Sequence, residues 1–204
     1  MTRLAVFASG KGSNLARILA ACQQGTIAGS VVLVVCNEPG AGAVGIARMA
    51  GIPVLIADHR DYPSRVAHER AIVHALDEHQ VILVVLAGYM RLLSPFLLGY
   101  LYDPRMKQSR VISIHPTDPA LYQGPAGYAW AIATGQTATA VTVQYVDEGM
   151  DTGRIILQEA FAVLLEDTVE TLKARGQAIE HRLFPRAIQH VVDRMGSRLS
   201  CAAS

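Results

Sequence analysis

Short unbroken runs of aliphatic residues recur along the chain, each followed by a turn and a helix-like segment. Leu4 to Ala8, Val31 to Val35, Val54 to Ile56 and Val81 to Ala87 are such runs. A strand with one wet face alternates apolar and polar residues, whereas a continuous β-branched run marks a strand covered on both faces. The intervening segments carry helical stripes. Leu15, Ile18 and Leu19 share a face within Ser13 to Gln24. A small-residue helix, Ala43 to Ala50, stops at Gly51. Val66, Ile72, Val73 and Leu76 line one side of Pro63 to His79. This alternation predicts an α/β fold built on an open, doubly wound, mostly parallel sheet.

The second half is less regular. Strands are expected at Val111 to His115, Ala138 to Val146 and Ile155 to Phe161, with a loop from Thr117 to Gly127. A long helix is expected from Thr168 to Met195, kinked or interrupted near Pro185, with a frayed tail over 196–204. There is no repeat or linker, so residues 1–204 read as one domain.

With 51% apolar and 17% charged residues, disorder is excluded. A net charge of +1 offers no basic footprint for nucleic acid. The longest apolar run is too short to cross a bilayer, and Leu4 to Ala8 is too short for a signal-peptide core. Cys22, Cys36 and Cys201 lack paired spacing and read as thiols in a reducing compartment. The expectation is a cytoplasmic protein, monomeric or homodimeric, that handles small molecules and neither nucleic acid nor membrane.

Ser9-Gly10-Lys11-Gly12-Ser13-Asn14-Leu15 joins a predicted strand to a predicted helix. Glycines allow a tight turn and close approach of backbone to ligand, and a helix start attracts anions. The spacing fits neither a Walker loop nor GxGxxG. The segment is either a phosphate cradle or a plain turn with a serine cap.

His115 closes a predicted strand, with Ser113 on the same face. Ligands of open α/β sheets bind beyond the carboxyl ends of the strands, where a histidine can exchange protons near neutral pH. Asp151 sits in the loop Asp147 to Gly153, and a carboxylate beside an imidazole favours its protonated form. His115 is thus either catalytic with Asp151 or a structural histidine. His59, His68, His74 and His79 read as solvated positions without metal-ligand spacing.

The ordered motifs resemble those of the glycinamide ribonucleotide formyltransferase family over about Arg3 to Ile188. They are Ser9 to Leu15, Ala87 to Pro95 (Ala-Gly-Tyr-Met-Arg-Leu-Leu-Ser-Pro), Ile114 to Pro116, Asp151 to Gly153, and Glu180 to Pro185. The resemblance implies a Rossmann-related formyltransferase fold and transfer of formyl from 10-formyltetrahydrofolate to an amine. It places the substrate phosphate at Gly12, Ser13 and Asn14, and further substrate contacts at Gln177 and Glu180. The folate pocket falls to Met90, Arg91, Leu92, Leu93, Val146, Asp147 and Glu148. Ordinary core packing is the alternative for Met90, Leu92 and Leu93. His115 and Asp151 become the catalytic pair, with Ser113 beside them.

Three positions depart from the family pattern. Ser113 stands where the family carries Asn, an amide donor to the formyl oxygen; losing one such donor costs roughly 2.7–4 kcal/mol in the barrier. Gln144 stands in place of His. The loop Thr117 to Pro125 keeps only Tyr122 and Gly124 of the usual pattern. These departures suggest altered chemistry or an altered acceptor. Two other functions compete with formyl transfer. One is hydrolysis of 10-formyltetrahydrofolate, disfavoured because such hydrolases usually carry an added N-terminal domain. The other is a weakened relative that only binds folate or phosphate.

Overall fold

The computed structural model describes residues 1–201, with side chains through 196. Seven strands form one sheet: β1 (Thr2–Ala8), β2 (Gly29–Cys36), β3 (Val54–Ile56), β4 (Leu83–Leu86), β7 (Val111–His115), β8 (Ala138–Tyr145) and β9 (Ile155–Ala162). Their order is β3-β2-β1-β4-β7-β8-β9. The first five run parallel, and β8 and β9 are antiparallel additions. The doubly wound, mostly parallel sheet read from the sequence is the one observed.

Alternation along each strand feeds two cores. Leu4, Val6 and Ala8 of β1 face α1 (Ser13–Gln23), α2 (Gly42–Met49) and α6 (Val169–Cys201). Ala5 and Phe7 face α3 (Arg65–Glu78) and α4 (Pro95–Tyr100). The β4 strand divides the same way, with Leu83 and Val85 on one side and Val84 and Leu86 on the other. Burial on both faces is the physical reason these strands carry no polar residue.

Four features differ from the sequence reading. Pro185 does not interrupt α6, which runs continuously from Val169 to Cys201. Proline removes one helical hydrogen bond, but Leu183, Phe184, Ala187, Ile188 and Val191 around it are buried in the core and hold the helix on the sheet. The tail expected to fray from 196 stays helical through Cys201, following the buried Val192 and Met195; residues 202–204 lie outside the described residues. His68 is buried rather than solvated, donating from Nε2 to the Ala57 carbonyl at 2.9 Å, and burial pushes its pKa down. Short elements also fill stretches read as loop: α4, α5 (Gly127–Ala133), and the two-stranded ribbon of β5 (Tyr102–Asp103) and β6 (Gln108–Ser109).

Cys22 and Cys36 are free thiols. No helix among the described residues is long and apolar enough to cross a membrane.

Candidate active site

The chain runs outward from β1 through β2 to β3, then crosses back to lay β4 on the other side of β1. That reversal opens a crevice at the carboxyl ends of β1 and β4, the usual ligand position in such sheets. Phe7 pairs with Leu86 and Leu86 with Ser113, so the loops after β1, β4 and β7 emerge at one edge.

The first two loops are tied together. Ser9 donates its N–H to Gly88 O at 3.0 Å, and its hydroxyl accepts from Met90 N at 2.8 Å. The same hydroxyl donates to Asn37 Oδ1 at 2.5 Å, recruiting the end of β2. Ser9 and Asn37 escaped the sequence reading, because their bonds join loops remote in sequence.

The N-cap of α1 is Gly12, with φ +79°, and no side chain caps the helix. The serine-cap alternative is therefore corrected: Ser13 is already helical and exposed. Gly12 is required twice over. Its φ is left-handed, and a Cβ would lie 2.8 Å from Ala43 Cα. A bare helix start presents backbone N–H groups and the positive dipole end to an anion.

Asn14 donates to Glu180 Oε2 at 2.8 Å, linking α1 to α6. Tyr128 of α5 donates to Glu180 Oε1 at 3.3 Å. Burial and the adjacent Glu180 raise the Tyr128 pKa, so it stays a neutral donor. Gly176 makes room for it, since a Cβ there would meet the Tyr128 hydroxyl. Gln177 is half-buried one turn before Glu180 on α6. Tyr128 had no sequence signal, because its contact depends on how α5 docks.

His115 ends β7 and is 4% exposed. Its Nδ1 lies 3.2 Å from Asp151 Oδ2. Asp151 also accepts from Gly124 N at 3.0 Å and from Gln144 Nε2 at 3.2 Å. Its own φ is +55°, a left-handed conformation that sets the carboxylate back against the sheet. At the other ring nitrogen, Nε2 lies 3.0 Å from Tyr122 O and 2.5 Å from Thr117 Oγ1. Each ring nitrogen thus faces an oxygen. Tyr122 stacks on Trp130, with ring centroids 5.1 Å apart, which folds the 117–125 loop back over His115.

Ser113 lies opposite Gln144 in the β7–β8 register and shares the His115 face. The Gln144 Oε1 atom is buried without a hydrogen-bond partner. An orphaned acceptor here is costly unless a ligand donates to it.

Met90 (74% exposed), Leu92 (59%) and Met150 (45%) present apolar side chains to solvent, whereas Leu93 packs in the core with Leu97 and Leu98. Arg91 is half-buried. Val146 packs against the same core as Leu93, which places the 88–93 and 146–150 segments side by side. Asp147 accepts from Thr152 Oγ1 at 2.6 Å and Gly149 N at 3.1 Å, shaping the loop that holds Asp151; Glu148 is exposed. A partly apolar slot beside a buried His–Asp pair and a bare helix N-terminus suits a flat hydrophobic co-substrate on one side and an anionic one on the other.

An open α/β sheet with this pair at its switch point defines a group-transfer enzyme of the Rossmann-related kind. The formyl transferase family model matches residues 2–188. The chain is 36% identical to phosphoribosylglycinamide formyltransferase of Bacillus subtilis (strain 168), over 94% of this chain and 95% of that protein. It is 37% identical to the trifunctional purine biosynthetic protein adenosine-3 of Gallus gallus over 93% of this chain, but spans only 18% of that protein's length. The crystal structure of phosphoribosylglycinamide formyltransferase from Bacillus halodurans superposes with a TM-score of 0.88 at 41% identity, covering 94% and 95% of the two chains. The chain belongs to the formyl transferase family.

Proposed function

We propose that residues 1–204 form a single formyltransferase domain that moves the formyl group of 10-formyltetrahydrofolate to the amine of glycinamide ribonucleotide. It does so in the cytoplasm, as a monomer or homodimer. The observation that carries this reading is the His115–Asp151 pair, 3.2 Å apart at the carboxyl end of β7. It sits at the sheet edge that also holds the bare N-terminus of α1.

The residues present fit both substrates. The α1 amides at Ser13 and Asn14, with Gly12 allowing close approach, receive a phosphate. Gln177 and Glu180 contact the rest of that substrate, with Tyr128 and Asn14 orienting the Glu180 carboxylate. Met90, Arg91, Leu92 and Val146 to Glu148 take the folate, and Leu93 supports them from the core. The folate co-substrate supplies an activated formyl group.

As the amine nitrogen bonds to the formyl carbon, negative charge gathers on the formyl oxygen. Protonated His115 and the Ser113 hydroxyl donate to it. Asp151 holds Nδ1–H, fixing the ring and stabilising its positive charge. His115 then gives a proton to the departing folate nitrogen and takes the one shed by the attacking amine, so the proton count closes. Gln144 keeps Asp151 in place through its amide, and its unpartnered Oε1 is positioned to accept from an N–H of the substrate.

The test follows folate turnover with and without glycinamide ribonucleotide. Tetrahydrofolate and formylated product appearing in equal amounts, and only with the amine present, is the expected result. Folate deformylation independent of amine would make the protein a hydrolase. Binding without turnover would make it a binding relative.

A further inference from the structure

A second pocket, of about 110 Å³, lies across the sheet from His115, lined by Tyr145, Arg154, Ile155, Ile156, His190 and Arg194. Tyr145 belongs with Val141 and Val143 to the face packed against α6, whereas Gln144 and Thr142 pair with Ser113 and His115. Alternation therefore puts the thickness of the sheet between this pocket and the His–Asp pair.

Its polar lining consists of two guanidinium groups, an imidazole and a phenol, with no carboxylate among them. Arg154 lies over the Tyr145 ring, 5.1 Å from its centroid. His190 and Arg194 are one turn apart on α6 and share a face. Tyr145 is 3% exposed, and its hydroxyl is buried without a hydrogen-bond partner. A buried hydroxyl in that state calls for an acceptor. A water takes roughly 30 Å³ of liquid volume, so the pocket has room for about three waters or one phosphate-sized anion.

We infer that this pocket is an oxyanion site, taking phosphate or a phosphate monoester on the Tyr145 hydroxyl, Arg154 and Arg194. The position gives such an anion a lever on the active site. Tyr145 N donates to Arg154 O at 3.0 Å, closing the base of the loop that carries Asp151. The closure is tight, for a Cβ on Gly153 would collide with the Tyr145 carbonyl. An anion bridging Tyr145 and Arg154 to Arg194 on α6 pins that base and slows opening of the 146–153 loop. The inference is independent of the reaction proposed above.

The experiment compares wild type with the Tyr145→Phe/Arg154→Gln double variant. Both are titrated calorimetrically with inorganic phosphate and, separately, ribose 5-phosphate. Amide hydrogen exchange of residues 146–153 is followed in both, and wild-type crystals are soaked in phosphate. The expected result has three parts. Wild type shows a binding event that the variant lacks or binds about tenfold or more weakly, the usual cost of a lost charged hydrogen bond. Soaked crystals show density between Tyr145, Arg154 and Arg194. Phosphate slows exchange of the 146–153 amides in wild type alone. Tighter binding of ribose 5-phosphate assigns a monoester as the ligand, and tighter binding of inorganic phosphate assigns the free ion. Superimposable isotherms overturn the site, even if crystals show density, since that ion is then adventitious. Unchanged loop exchange overturns the lever. If the double variant melts early, Arg154→Gln alone, at an exposed side chain, replaces it.

Discussion

His115 is held at both ring nitrogens, by Asp151 on one side and by the Tyr122 carbonyl and Thr117 hydroxyl on the other. The loop contact must loosen for Nε2 to reach a substrate, as is common where catalytic hydrogen bonds tighten only on binding. His115→Ala and Asp151→Asn are each expected to lower kcat by about 10²–10⁴-fold while folate binding changes little; kinetics beside equilibrium folate titration check this. Near-normal turnover in both would remove the pair from the mechanism. Gln144 acts through Asp151, so Gln144→Ala should slow turnover by about tenfold and lose most of that effect when Asp151 is already Asn. Such non-additivity is the mark of two residues working as a unit, and a double-mutant cycle measures it. Independent, additive effects would leave Gln144 a packing residue. The sequence made His115, Ser113 and Asp151 legible because strand ends and a glycine-bearing loop locate them. Thr117, Tyr122 and Tyr128 were not legible. Their bonds run to a ring nitrogen, through a main-chain carbonyl, and to a carboxylate 52 positions away, and no periodicity encodes these.

Among the elements, α1 shows how a single glycine sets a site. Gly12 combines φ +79° with a Cβ position 2.8 Å from the Ala43 backbone, whereas a Cβ on Gly10 meets nothing within 4 Å. Gly12→Ala is expected to cost about 2 kcal/mol or more in denaturant unfolding, from left-handed strain and the clash together, and to raise KM for the phosphorylated substrate. Gly10→Ala should unfold near wild type. Equal unfolding midpoints for the two variants would refute the role of Gly12. The buried strands were readable because covering both faces demands uninterrupted apolar runs. The shorter elements were harder. The Ser94 cap and Pro95 at the first turn do signal α4, but it is only six residues long, too short for a stripe to emerge. The α5 helix begins Gly-Tyr-Ala and lacks a side-chain cap. The Pro185 rule failed for the opposite reason: it is local, and the buried contacts along α6 outweigh it.

At the scale of the whole molecule, α6 closes one face of the sheet, so its anchoring bears on global stability. Its start is fastened by Asp167, which accepts from Arg175, from Leu164 N at 2.8 Å and from Thr171 Oγ1 at 2.8 Å. The Arg175 guanidinium holds the Asp167 carboxyl down to about 2, and Arg60 does the same for Asp58. An unfolded aspartate titrates near 3.9. A depressed folded pKa means that the stabilisation is complete above that value and is lost as pH falls through about 2. Buried His68 works in a different window. Its folded pKa is lowered, so the unfolded chain takes up the proton first, and its contribution begins to fall as pH drops below about 6.5. Urea unfolding across the acid range should therefore show a shallow decline below about 6.5, then a steeper one between roughly 4 and 2. Asp167→Asn is expected to lower stability at neutral pH and to flatten the steeper limb while leaving the shallow one unchanged. Arg175 and Arg60 are partly exposed, so salt should weaken the steeper limb as well. Wild type and Asp167→Asn tracing parallel curves from pH 4 to pH 2 would show that the fastening of α6 does not depend on the Asp167 charge.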